Sequence, residues 1–176
     1  MNNVNDTLVK AQKLFSWNAQ KIYYSVSNQY KRTWTLKRGE VYFVDLGENV
    51  GSEENKIRPV VVLQSDAYNF KSPVFICAIL TTSKLTIPDI QIKISGTYNY
   101  YDKNKQLKQL TGIIDLGQIK TIAKERIISK KICFLSQELD DINKGLLNVL
   151  GLSKLIISKE NTIRSLKGKI DFLQKK

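Results

Sequence analysis

Apolar and polar positions change rhythm twice along the 176-residue chain. From residue 6 to 30, Leu8, Ala11, Phe15, Ile22 and Val26 recur at helical spacing. That pattern predicts an amphipathic helix with these residues as its apolar face and Asp6 or Thr7 as its cap. After Leu36-Lys37-Arg38-Gly39 the rhythm shortens. The runs Glu40 to Leu46, Arg58 to Gln64 and Val74 to Thr81 read as strands, and Asp89 to Ile94 alternates cleanly as a fourth. Thr97 to Leu110 is rich in tyrosine and lysine and reads as a long loop or a partly ordered hairpin. Strands resume at Thr111 to Leu116 and Ile119 to Ile122, with Ile127 and Ile128 in another. Ser136 is placed to cap a helix whose apolar stripe is Leu139, Ile142, Leu146, Leu147 and Leu150. The rhythm changes again near the end. Ile156, Ile163, Leu166, Ile170 and Leu173 keep heptad-like spacing, broken at Lys159. This segment is a short coiled-coil strand or a helix packed on the N-terminal one.

Many short strands separated by turns, with few helices between them, predict an antiparallel sheet or small barrel. No internal repeat or low-complexity tract interrupts it. The expected organisation is a β-rich domain over residues 37–151, a helical extension over 1–36 and another over 152–176.

Charge sharpens this division. The net charge is +12. Residues 1–37 carry six Lys/Arg and one acid; residues 154–176 carry seven and two, so each end is +5. The fifteen Lys/Arg and thirteen acids of residues 38–153 leave only +2. Basic ends suit an anionic partner such as nucleic acid, or an acidic protein; solvated helix faces are the other reading.

Composition also removes reaction classes. There is no histidine, so the usual general base at neutral pH is missing, and a catalytic triad would need a lysine in its place. The two cysteines, Cys77 and Cys133, sit in apolar runs and read as buried free thiols. Without histidine or a CxxC pair, no zinc site is expected. Gly51-Ser52 lacks the pattern of a phosphate-binding P-loop. The start, Met1 to Asp6, lacks the basic and apolar stretches of a signal peptide, and no run of about 18 apolar residues occurs. A soluble cytoplasmic protein is the default expectation.

Three core elements remain as candidate chemistry. The loop from Gly47 to Ile57 is longer than a hairpin needs. Arg58-Pro59 follows it; the proline holds Arg58 extended, and a planar guanidinium there suits bidentate phosphate contact. Thr81-Thr82-Ser83 ends the third apolar run and offers hydroxyls. Each alone has a plainer reading, as mobile loop, surface arginine or turn.

Their order is more specific. Lys37-Arg38-Gly39-Glu40-Val41-Tyr42-Phe43-Val44-Asp45-Leu46 resembles the opening strand of the MazF/PemK (Kid-like) toxins. Val50-Gly51-Ser52-Glu53, followed by Arg58-Pro59-Val60-Val61-Val62, resembles their next motif. Gln64-Ser65-Asp66, Asn69, Ser72-Pro73 and the run to Leu80-Thr81-Thr82 follow the same pattern. Gln118 to Ile122 and Arg126-Ile127 resemble the family's late strands.

The resemblance implies a mainly β fold, a small SH3-like antiparallel β-barrel (MazF/Kid/CcdB-like), here with added N- and C-terminal helices. It implies the toxin of a type II toxin-antitoxin system, a sequence-selective endoribonuclease cutting single-stranded mRNA without metal or cofactor. Cleavage by the 2′-hydroxyl would leave 2′,3′-cyclic phosphate and 5′-hydroxyl ends. The implied catalytic pair is Arg58 and Thr81. Counting from Ser72-Pro73 selects Thr81; a slip of one residue would select Thr82 and turn it to the other face. Ser52, Lys56, Thr82 and Gln118 are the implied RNA contacts. A cognate antitoxin and a second copy of the chain are the implied partners, with DNA bound only in complex with the antitoxin. Two other functions stand beside this one: a non-enzymatic CcdB-like poison of DNA gyrase, and a catalytically silent RNA-binding module.

Overall fold

The computed structural model describes residues 4–82, 84 and 86–174. Its centre is a six-stranded antiparallel sheet built from β1 (Glu40–Asp45), β2 (Ile57–Val62), β3 (Val74–Thr81), β4 (Gln91–Lys93), β7 (Ile113–Ala123) and β8 (Cys133–Phe134), in the order β4-β7-β3-β2-β1-β8. The strands read as unbroken apolar runs because both faces of this sheet are covered. Tyr42, Val44, Val60, Val62, Cys77 and Ile79 belong to one core cluster, with Leu36, Phe75, Ile122 and Ile127. Val41, Val61, Ala78 and Leu80 point the other way into a second, with Leu110, Ile114, Leu116 and Ile142. Each fully buried aliphatic side chain contributes roughly 1.5–3 kcal/mol.

Two predicted strands, 111–116 and 119–122, form the single long β7. It pairs with β3 along most of its length, with an irregularity between Cys77 and Ile79. Residues 97–110 form an ordered hairpin, β5 (Tyr98–Tyr101) and β6 (Leu107–Leu110), whose turn Asp102 organises by accepting from the Asn104 and Gln106 N–H groups. Ile127 makes an isolated bridge to Val44. A short helix, α2 (Asp66–Asn69), links β2 to β3. Cys77 is buried as expected, while Cys133 is only half-buried; both thiols are free.

The predicted cap at Ser136 is corrected. Helix α3 (Leu139–Val149) starts behind Glu138. The Glu138 carboxylate is turned away to accept from the Ser95 and Gly96 N–H groups and the Tyr98 hydroxyl. Burial alone would raise its pKa, but these hydrogen bonds outweigh burial and hold it below the usual value.

Helix α1 (Val4–Ser27) also departs from its pattern. Its buried residues are Trp17 and Tyr24. The expected face lies outward: Leu8, Phe15, Ile22 and Val26 are all exposed. Beyond α1, residues 28–36 are stitched to the segment after β7. Lys124 is fully buried and donates to the Trp34 and Asn69 carbonyls at 2.7 Å each. Asn28 and Lys31 donate to the Glu125 and Ile127 carbonyls, and Arg32 pairs with Glu125. Helix α4 (Ser153–Gln174) runs unbroken through Lys159, and every residue from Lys154 to Gln174 is exposed. The expected packing on the N-terminal helix is therefore not found. No helix among the described residues is long and apolar enough to cross a membrane.

Candidate functional site

Arg58 stands at the end of β2, opposite Val44 of β1. Val60 pairs with Ile79 in the antiparallel β2–β3 ladder. Extending that register by two residues sets Arg58 across from Thr81. Arg58 and Thr81 thus share a sheet face, and Thr82 belongs to the other by alternation. Gly112 (φ +120°) leaves no space beside Thr81: a Cβ there would come within 2.3 Å of the Thr81 carbonyl oxygen.

The loop between β1 and β2 closes over this end of the sheet. Leu46 N–H donates to the Lys56 carbonyl and Lys56 N–H to the Gly47 carbonyl, both at 2.7 Å, making a narrow neck. Lys56 and Gly47 adopt left-handed backbone there. From one side, Gln118 of β7 grips the loop. Its Oε1 accepts from Glu54 N–H at 2.8 Å and its Nε2 donates to the Ser52 carbonyl at 3.3 Å. Lys120 pairs with Glu53 at 3.1 Å. From the other side, Lys10 of α1 reaches Glu48 and the Asn49 carbonyl, and the Trp17 ring lies against Gly47. A Cβ on Gly47 would fall within 2.0 Å of that ring.

Inside this frame Arg58 Nε donates to Glu54 Oε2 at 2.8 Å. The Arg58 side chain is 37% exposed and that of Glu54 18%. The pair therefore faces solvent but is partly sheltered. A guanidinium held at Nε keeps its Nη groups for an anion that offers two oxygens, and no described residue takes them by hydrogen bond.

Among the six residues expected from sequence, Arg58, Ser52 and Gln118 come together around the loop. Thr81 joins them through the ladder. Gln118 is half-buried and holds the loop, and exposed Ser52 offers its hydroxyl at the loop surface. Lys56 departs from the group: it lines a cavity of about 430 Å³ beside α1, with Lys13, Trp17, Gln20 and Asp45. Thr82 is exposed on the far face. Sequence reasoning missed Glu54 and Trp17. Glu54 is four residues before Arg58, a spacing that signals a contact on a helix and nothing in a loop. No group of three or more metal-ligating side chains occurs among the described residues.

Comparison with known proteins now decides the family. The sequence model of the PemK-like, MazF-like toxins of type II toxin-antitoxin systems matches residues 37–150. The chain belongs to this family. It is 34% identical over 119 residues to the endoribonuclease MazF of Staphylococcus saprophyticus, covering 66% of this chain and 92% of that one. Among solved structures, it is similar to an endoribonuclease in complex with its cognate antitoxin from Mycobacterial species, with TM-score 0.52 and 24% identity over 66% of this chain and 96% of that one. It also resembles another mycobacterial endoribonuclease, with TM-score 0.50 and 22% identity over 69% of this chain and 96% of that one. At those identities the structural likeness establishes the fold alone. The PemK-like region takes in the loop, Arg58, Glu54, Thr81 and Gln118, while α1, which braces the loop, and all of α4 lie outside it.

Proposed function

We propose that this PemK-like toxin is an endoribonuclease that cuts single-stranded mRNA, with Arg58 and Thr81 as its catalytic pair. The observation that carries this reading is the β2–β3 register, which, extended two residues beyond Val60 and Ile79, sets the two on one sheet face beside a loop of the family's sequence. RNA supplies its own nucleophile, since the 2′-hydroxyl can attack the adjacent phosphorus. The protein must then hold the strand, stabilise charge on the phosphoryl oxygens and help protons move. Arg58 supplies the charge: a guanidinium stays protonated to above about pH 12 and binds phosphoryl oxygens two at a time. Thr81 holds the phosphate or orients the 2′-hydroxyl. Ser52 and Gln118 line the path of the strand, Lys56 adds positive charge at the loop base, and Thr82, turned to the other face, is not among the contacts. DNA, lacking the 2′-hydroxyl, is not cut.

On this reading residues 37–151 are the toxin domain and the basic segments 1–36 and 152–176 are additions to it. The toxin acts in the cytoplasm as a homodimer. A cognate antitoxin neutralises it, and DNA is met only in complex with that antitoxin. Incubation of the purified protein with a long RNA in EDTA tests the reading. Fragments ending in 2′,3′-cyclic phosphate and 5′-hydroxyl are expected. Intact RNA alongside arrested growth would point to a gyrase poison instead, and binding without cleavage to a silent RNA-binding module.

A further inference from the structure

Cleavage by a 2′-hydroxyl needs a group to take its proton, and the pair Arg58 and Thr81 supplies none. Arg58 is always charged, a threonine hydroxyl is no base, and the chain has no histidine. A carboxylate is the remaining candidate. Glu54 touches Arg58 directly, Oε2 to Nε at 2.8 Å. Its backbone is fixed at both ends of the residue: Gln118 accepts its N–H at 2.8 Å and Asn49 donates to its carbonyl at 2.6 Å. No described residue donates to its Oε1 by side chain or backbone.

The neighbouring carboxylates are occupied. Asp115 pairs with Ile79 across β7 and β3, so it lies on the face of Arg58 and Thr81. Its Oδ1 accepts Gly117 N–H at 2.9 Å and its Oδ2 accepts from Gln91 at 3.3 Å. Glu53 is paired with Lys120 and is more than half exposed.

We propose that Glu54 is the general base of the reaction, resting on the reading of this toxin as an endoribonuclease. Arg58 then does two things with one side chain. Its Nε holds the base, and its Nη groups meet the phosphoryl oxygens. The Glu54 carboxylate takes the 2′-hydroxyl proton as the 2′ oxygen bonds to phosphorus. The bond from phosphorus to the 5′ oxygen breaks, and that oxygen takes a proton from water. Glu54 later returns its proton to solvent, so no water is consumed overall.

The test compares wild type with Glu54→Gln, which keeps the size and the acceptor oxygen facing Arg58 but cannot take a proton. Two readouts are needed: single-turnover cleavage of an RNA oligonucleotide across pH 4–9, and binding of the same oligonucleotide with a 2′-deoxy residue at the cut site. Glu54→Gln should bind within about twofold of wild type and cut roughly 10²- to 10⁴-fold more slowly. The wild-type rate should fall towards the acid end of that range, and Glu54→Gln should lose that limb. Glu54→Asp should recover part of the rate together with the limb. Near-wild-type cleavage by Glu54→Gln with the limb intact would overturn the proposal and leave Glu54 as a holder of Arg58. Faster cleavage with tighter binding would overturn it too, making Glu54 a plug that phosphate displaces. Loss of the limb in Asp115→Asn instead would move the base to Asp115. A wild type that binds the oligonucleotide and never cuts it would overturn the endoribonuclease reading itself.

Discussion

The terminal segments 1–37 and 154–176 carry the same net charge, and their helices have similar apolar periodicity, yet the fold treats them differently. In α1, Trp17 and Tyr24 are buried and meet edge to face with ring centroids 6.3 Å apart. Tyr24 donates to Asp45 Oδ2 at 2.7 Å. Arg126 stacks on Trp17 at 4.9 Å and donates through Nε to the Asp45 carbonyl. Helix α4 has no buried residue among those described, and its heptad stripe stands in solvent. Periodicity therefore makes both segments helical, while two aromatic residues decide which one is fixed. Because the α1 anchor rests on Gly47 and Asp45, α1 is joined to the loop beside Arg58 and α4 is not.

The comparison is broken hardest at Trp17. Trp17→Ala removes the ring from Gly47 and should cost about 3 kcal/mol, read as a lower urea midpoint, with slower RNA cleavage as the loop loosens. An unchanged midpoint would mean that α1 is as loosely held as α4. Tyr24→Phe removes the hydrogen bond to Asp45 and should cost about 1 kcal/mol at neutral pH. Its pH signature is sharper. Burial first, then the Asp45 carboxylate, pushes the Tyr24 phenol up to about 12 from the model-compound 10.0. The fold thus favours the neutral phenol. That contribution is complete below pH 10 and is lost as pH rises from about 10 to about 12. Tyr24→Phe should flatten this alkaline loss in a series of thermal melts. The smallest effect belongs to α4. Removing residues 152–176 should change stability by no more than about 0.5 kcal/mol. If those residues touch RNA, the salt dependence of binding will weaken on their removal.

The sequence made the sheet around Arg58 legible because its strands are continuous apolar runs set apart by clear turns. Val74 to Thr81 has the predicted bounds, and Arg58-Pro59 sits at the strand end expected of it. Less was legible where the answer lay across the fold. The apolar stripe of α1 is real, but periodicity cannot tell which face meets the protein, and two aromatic rings with polar edges outcompete five aliphatic or aromatic positions. Ser136 had the composition of a cap, but Glu138 is drawn in by donors some forty residues earlier. Glu54 is not legible in the sequence because its link to Arg58 depends on the loop's shape, which Gln118 and Lys10 impose from a distant strand and helix. The outward stripes of α1 and α4 have no covering partner among the described residues, and charge and spacing alone do not name one.

The central claim is that Arg58 drives metal-independent cleavage of RNA. The most direct measurement treats one long RNA, in EDTA, with wild-type protein and with Arg58→Ala, and maps the fragment ends. Wild type should cut at defined sites, leaving 2′,3′-cyclic phosphate and 5′-hydroxyl ends, and Arg58→Ala should cut at least about 10²- to 10³-fold more slowly. Cleavage that needs magnesium, or that persists at the wild-type rate in Arg58→Ala, would contradict the account.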